Sequence, residues 1–376
     1  MKKLNIKKLI LTMLITLAVL PLFINSALAV DSNIDQYAEE FDYNSFLSAL
    51  DDETKVILSE IGIDELSLDN IFAISPDKVL DALFGIITQS LKAPIGFLTT
   101  SMGILIITSL MTSFFESHTI NMVGGAVLGL CSAVPIAGVV TSSFSVLQVL
   151  NGFTTAFAGV FCAIVSSMGK INTAVTYASL TMFSDTLFSS FLSGVSQTVV
   201  NSMCALGFLS CFDMGGFTAK LTGIIKKIYV FILSFIGTVF SGIVTLKGVL
   251  SDGVDSLSSR SIRFVVGNSL PVVGGAVSET YSTLITSLSL IKNTVGVFGI
   301  ITVVVTVLPT LLRLVMWIIT LDTVSALSDI SGAGATVKLL GILKDALVLL
   351  VATITIVSTV FIVSVGVVIA IKGGGV

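Results

Sequence analysis

From Ala93 onward the chain is a succession of long apolar runs, and that pattern constrains its fold more than any motif does. The runs cover residues 93–115, 121–143, 152–169, 172–192, 195–214, 228–247, 295–320 and 346–371. Most approach the ~20 residues a helix needs to cross a bilayer. Only 11% of the 376 residues are charged and the mean hydropathy is +1.05, whereas a soluble domain carries ~25% charge. Such a chain cannot cover its apolar surface in water, so lipid is its main solvent. The expected fold class is an all-α polytopic membrane protein with about six to eight transmembrane helices.

Ahead of this body stand two different segments. Lys2, Lys3, Lys7 and Lys8 precede an apolar stretch from Leu9 to Leu20, then Pro21 and the small-residue site Ala27-Leu28-Ala29. Residues 1–29 read as a signal peptide cleaved after Ala29. The competing reading, an uncleaved anchor, is disfavoured by the shortness of the apolar stretch. Residues 30–92 carry 14 acids against 3 lysines and read as an extracytoplasmic segment of two or three short amphipathic helices. Ser45, Asp51 and Ser67 are its candidate caps, and Ser75-Pro76-Asp77 opens a helix leading into the membrane. A docking surface and a solvated spacer both fit this segment.

Counting spans from the outside places Lys170, then Lys220, Lys226 and Lys227, then Lys338 and Lys344 in the cytoplasm, as the positive-inside rule requires. Residues 262–291, interrupted by Pro271, Gly274 and Gly275, read as a re-entrant or interfacial hairpin on the outer side. The nine residues from Thr218 to Lys226 recur from Thr336 to Lys344 with six identities, and Val123–Val127 recurs as Val273–Val277. These matches suggest two related halves, 93–248 and 249–376. Repeats of this kind occur in transporters, with sites at the repeat interface.

The residues that could carry chemistry are few. Arg313 lies in the apolar run 295–320, four residues after Pro309. A charge at that depth costs ~3 kcal/mol on insertion scales and marks a pore, a substrate contact or an interhelical ion pair, unless it snorkels toward Asp322. Asp185 is a candidate partner, and Pro309 is expected to kink its helix, as is Pro135. His118 is the sole histidine and reads as a loop residue, so no histidine-based metal cluster or Ser/His/Asp triad is expected. Cys131, Cys162, Cys204 and Cys211 read as buried thiols. No phosphate-cradling glycine loop is present in the sequence, so energy for any work comes from a partner or a gradient. No catalytic residue, cofactor or metal is expected, and no basic cluster points to nucleic acid. An intramembrane enzyme would rest on Asp185 with Asp322 alone.

The stretch from Arg263 to Glu279 resembles the stage III sporulation protein AE family. The likeness is carried by Gly267, by Pro271-Val-Val-Gly274 followed by Gly275, and by Ser278-Glu279, with Lys292-Asn293 and Gly296 downstream. The overall plan of signal peptide, acidic segment and polytopic body is similar as well. The resemblance implies a mother-cell membrane protein of endospore formation, in an assembly spanning the two membranes around the forespore. The implied partners are other stage III A-operon proteins, among them a cytoplasmic ATPase, and a forespore-membrane protein. The alternative from the residues alone is a self-sufficient secondary transporter of a small solute.

Overall fold

The computed structural model describes residues 48–63, 76–114, 118–213, 215–269 and 274–370. The signal peptide, the caps Ser45 and Ser67, and Pro271 lie outside the described residues. Every regular element among those described is helical. They are α1 (Asp52–Glu60), α2 (Pro76–Phe114), α3 (His118–Ser167), α4 (Ile171–Ser190), a π-helical segment (Phe191–Ser196), α5 (Gln197–Leu209), α6 (Phe217–Ser269), α7 (Gly274–Ile330) and α8 (Gly334–Ala370).

Local chemistry sets the ends. Asp51 caps α1 by accepting from the Thr54 amide at 3.3 Å, and Asp52 and Glu53 in its first turn complement the helix dipole. Pro76 opens α2 as expected. Gly169 and Gly332 stop α3 and α7 in left-handed backbone, with φ of 73° and 70°. The amides that follow them, of Lys170 and Ala333, reach back to the carbonyls of Val165 and Ser328, which satisfies ends that would otherwise be orphaned.

From residue 76 the described chain forms six rods that alternate in direction. Taking the 331–333 turn as the base, α2 descends and α3 ascends, with Thr108 beside Gly124. The third rod is α4, the π segment and α5 laid end to end. Tyr177 meets Phe161 and Phe208 meets Gly129, so both pieces run antiparallel to α3 along one line. Then α6 ascends, parallel to α8, with Lys226 at Asp345 and Gly237 at Ile356. α7 descends and α8 ascends, and this last pair makes the most extensive helix contact in the described fold.

Eight apolar runs thus become six rods. Residues 121–143 and 152–169, expected as separate spans, lie in the one uninterrupted helix α3. Residues 172–192 and 195–214 continue in one direction through the π segment rather than turning back. The breaks at 144–151 and 193–194 are not turns: the helix runs through them, burying Phe144, Val146, Leu147 and Leu150 while Ser145, Gln148 and Gly194 stay on its exposed face. Lys170 consequently lies at the end opposite the base, apart from Lys220, Lys226, Lys227, Lys338 and Lys344, and not on one side with them. At 2% exposure it is packed within the fold rather than solvated.

Among the described residues five helices are long and apolar enough to cross a membrane: Phe84–Phe114, Thr119–Ser167, Phe217–Phe240, Leu288–Ile330 and Gly334–Ala370. Residues 262–291 form the end of α6 and the start of α7 on either side of 270–273. The boundary expected at 248/249 falls inside α6. The nine-residue repeat opens α6 and α8, which are parallel neighbours, whereas its five-residue companion opens α3 and α7, which are antiparallel. α1 is seated on the bundle: Leu50, Ile57, Leu58, Ile61 and Ile63 are buried where it packs on α2 and α7, while Asp52, Glu53 and Val56 stay exposed.

Candidate functional site

Two polar systems are built into this apolar bundle. The first is a belt of charge near the base. Lys226 of α6 pairs with Asp345 of α8, and the adjacent Lys344 pairs with Asp322 of α7. The belt therefore ties three rods at one level. Just below it, Lys338 donates to the Asp213 carbonyl at 3.1 Å. The Asp213 carboxylate accepts from the Thr218 amide and hydroxyl, both at 2.7 Å, and so caps α6. These bonds, the amide first, hold its carboxyl below the usual range. The repeated lysines thus have a structural reason: each copy anchors its helix to a neighbour.

The second system is a seam of hydroxyls running up α8. At its lower end Tyr229 of α6 donates to Ser196 of the π segment at 2.8 Å and lies 2.6 Å from the Thr353 hydroxyl oxygen. From about one helical turn higher, a cavity opens between α3, α4 and α8, lined by Asn151, Thr154, Thr181, Ser184 and Ser364 and by the apolar Val357, Val360 and Phe361. Thr353 and Ser364 are separated by about 16 Å of helix rise. Thr154, Thr181 and Ser184 donate to the carbonyls of Leu150, Tyr177 and Leu180 at 2.7, 3.0 and 2.6 Å. Their protons are therefore committed to their own helices. The π segment continues the rod that lines this seam, and π turns recur at functional sites.

Two further buried charges fasten the rods. The Asp255 carboxylate, 1% exposed, accepts from the amides of Asn172 and Thr173 and from both of their side chains at 2.7–3.2 Å. It caps α4 from another helix. Lys292, also 1% exposed, donates to the carbonyls of Val368 and Ile369 at 3.2 Å. It meets the last carbonyls of α8, where a cation is favoured. One turn on, a Cβ at Gly296 would stand 2.5 Å from Ile369, so the glycine lets α8 seat there.

Arg313 makes an interhelical ion pair, but with an unexpected acid. Its Nη2 lies 3.3 Å from Glu53 Oε1 of α1, while Asp322 is taken by Lys344. The side chain of Asp185 lies outside the described residues; its helix α4 packs on α3 and α6. Pro309 is accommodated inside α7 without ending it. Gly267 lies near the end of α6, Gly274 and Gly275 open α7, and Glu279 follows on α7, its side chain outside the described residues. Among the described residues Arg313 thus pairs with Glu53 and Asp322 with Lys344, and the expected pairing with Asp185 lies outside them. Sequence reading missed Asp255, Tyr229 and the seam; the signal was the density of Ser and Thr in 121–214.

The stage III sporulation protein AE family model matches residues 60–372, which takes in all six rods. The Stage III sporulation protein AE of Bacillus subtilis (strain 168) is 22% identical over 237 residues, covering 60% of this chain and 58% of that protein. The chain thus spans about 58% of the length of that relative. No solved structure matches. With a match that extends over the entire bundle, the chain belongs to the stage III sporulation protein AE family.

Proposed function

We propose that this sporulation protein is a non-catalytic membrane subunit of a channel complex joining mother cell and forespore. The family match over the whole bundle carries the reading. A polar seam inside an apolar bundle supports it, since hydroxyls buried at membrane depth mark a path or a contact that lipid alone does not need. In this reading the signal peptide is removed, residues 30–92 lie outside the mother-cell cytoplasm, and the other stage III A-operon proteins dock on the bundle. A cytoplasmic ATPase supplies energy, and a forespore-membrane protein completes the assembly across the second membrane.

The test is localisation. A tag inserted at the 331–333 turn, imaged in sporulating cells of the source organism, should concentrate at the membrane around the engulfed forespore. Even distribution in growing and sporulating cells alike would overturn the reading. The second reading is a self-sufficient secondary transporter, favoured by the π-interrupted third rod beside an internal cavity. Solute uptake by the purified chain alone in proteoliposomes would move that reading to first place.

A further inference from the structure

We propose that the exposed face of α6 near the base holds an anionic phospholipid, with Lys220 and Lys227 on its phosphate and the aromatic rings above them along its acyl chains. Phe217–Phe240 is apolar enough to cross a membrane and is only 17% buried in its most apolar window, so lipid is what most of this rod meets. Along its open side Lys220, Ile224, Lys227 and Phe231 follow one another at intervals of four and three, all exposed. That spacing sets them on one stripe of the helix. The two lysines lie two turns apart, about 10 Å along the axis. Phe231 stacks on the equally exposed Phe235, with ring centroids 6.5 Å apart.

The lysines near the base are of two kinds. Lys226 and Lys344 are spent on Asp345 and Asp322, and Lys338 donates to the Asp213 carbonyl. The Asp213 carboxylate is itself taken by Thr218. Lys220 and Lys227 form no hydrogen bond or ion pair among the described residues. A lysine on a lipid-covered face lays its apolar stem along the helix and carries its ammonium to the headgroup layer, where phosphate supplies the opposite charge. Basic clusters beside membrane helices select anionic headgroups in this way. A zwitterionic lipid brings its own cation and has less to gain. An acidic protein segment would match the charge as well, but Ile224 and Phe231 interleave the lysines with apolar surface, which suits an amphiphile better. The inference does not rest on the channel reading.

The full chain in micelles of a neutral detergent is unfolded by heat with added phosphatidylglycerol, phosphatidylcholine or inorganic phosphate. Phosphatidylglycerol should raise the midpoint by about 3 °C, saturably, and the other two by no more than about 1 °C. Lys220→Gln with Lys227→Gln should raise the half-saturating lipid fraction about tenfold or more, since each lysine near an anionic headgroup is worth a factor of about five. The midpoint without lipid should stay near the parent's, because neither lysine is bonded within the described fold. Lys55→Gln on α1 should leave the titration unchanged. Where the double variant does not fold, Lys227→Gln alone should shift half-saturation about fivefold, and Lys227→Arg should restore it. Equal responses to the two lipids would mean that the face takes any lipid as solvent. A response to inorganic phosphate alone would mean a free-anion site, and a lipid response untouched by the variants would place the site elsewhere. Each of these would overturn the proposal, as would the lack of any shift.

Discussion

The α7–α8 pair and the α2 and α6 rods are all long apolar helices, the first pair the more apolar, and they take opposite places in the fold. In their most apolar windows 83% of α7 and 67% of α8 is buried within the protein, against 22% of α2 and 17% of α6. In water the more apolar helix goes inside. In lipid that drive is absent, and close packing and polar partners decide instead. The inner pair carries the features that need protein around them: Gly296 and Gly299, Lys292, and the hydroxyls of Thr306, Thr353 and Ser364. The outer rods carry Ile106, Ile107, Leu110 and Phe114 on α2 and Phe231 and Phe235 on α6, all exposed on the surface of the bundle, where lipid can cover them.

The sharpest way to break this comparison is to add one side chain to each class of rod. A Cβ at Gly299 of α7 would collide with the Phe157 ring. That ring is fully buried and stacked among Phe153, Phe161 and Phe361, so it has nowhere to move. Gly299→Val should cost about 2–3 kcal/mol, as overpacking of a close-packed core does. At Gly103 of α2 a Cβ would meet nothing within 4 Å, and Gly103→Val should stay within about 0.5 kcal/mol of the parent. Thermal midpoints of the two purified variants decide the matter. Equal losses would mean that α2 is packed as tightly as α7.

Lysines give the second contrast. Lys292→Met removes the donor to two carbonyls at the end of α8 and leaves them buried without it. A loss of about 1–2 kcal/mol is expected, with faster amide hydrogen exchange over residues 365–370. Lys226, in the outer rod α6, is part exposed at 26%, and Lys226→Met should cost about 0–1 kcal/mol. A larger loss at Lys226 than at Lys292 would reverse the assignment of inner and outer rods.

Much of this was readable from the chain before its fold. Apolar runs and the shortage of charge gave the helices and the membrane, and the likeness to the family picked out Lys292 and Gly296 before their contact with α8 was visible. What stayed hidden has a common physical cause. Hydropathy cannot separate two spans from one helix of double length, because the less apolar gap between 143 and 152 reads as a break whether or not the helix runs on through it. Arg313 stood out as a charge in an apolar run, but its partner Glu53 lies 260 positions earlier, and only tertiary packing brings α1 to it. The seam was hidden because a serine that bonds its own helix and one that lines a cavity are the same letter.

The Arg313–Glu53 pair sharpens the comparison at the junction of the two classes, since α1 rests on outer α2 and inner α7. With side chains 26% and 42% exposed, the pair should contribute only about 0–1 kcal/mol to stability. Its expected effect is on assembly instead. Arg313→Ala should lower sporulation yield at normal protein levels, and Glu53→Gln should reproduce the defect. The exchanged pair Arg313→Glu with Glu53→Arg should recover part of it. Normal spore counts with Arg313→Ala would reduce the pair to a surface contact.

The smallest expected effect lies where an outer rod is tied to an inner one, at Asp213. Its carboxylate caps α6 while its carbonyl receives Lys338 of α8, so the turn couples the two rods by hydrogen bonds and not by apolar burial. The capping bonds hold the carboxyl below its ordinary value. A group depressed in the fold stabilises above its unfolded pKa, near 3.9 for Asp, and that contribution is lost as pH falls through the lower folded value. Thermal midpoints taken between about pH 7 and pH 3 should therefore fall less steeply for Asp213→Asn, which keeps a capping oxygen but has no charge to lose. An acid limb as steep as the parent's would show that Asp213 does not set it.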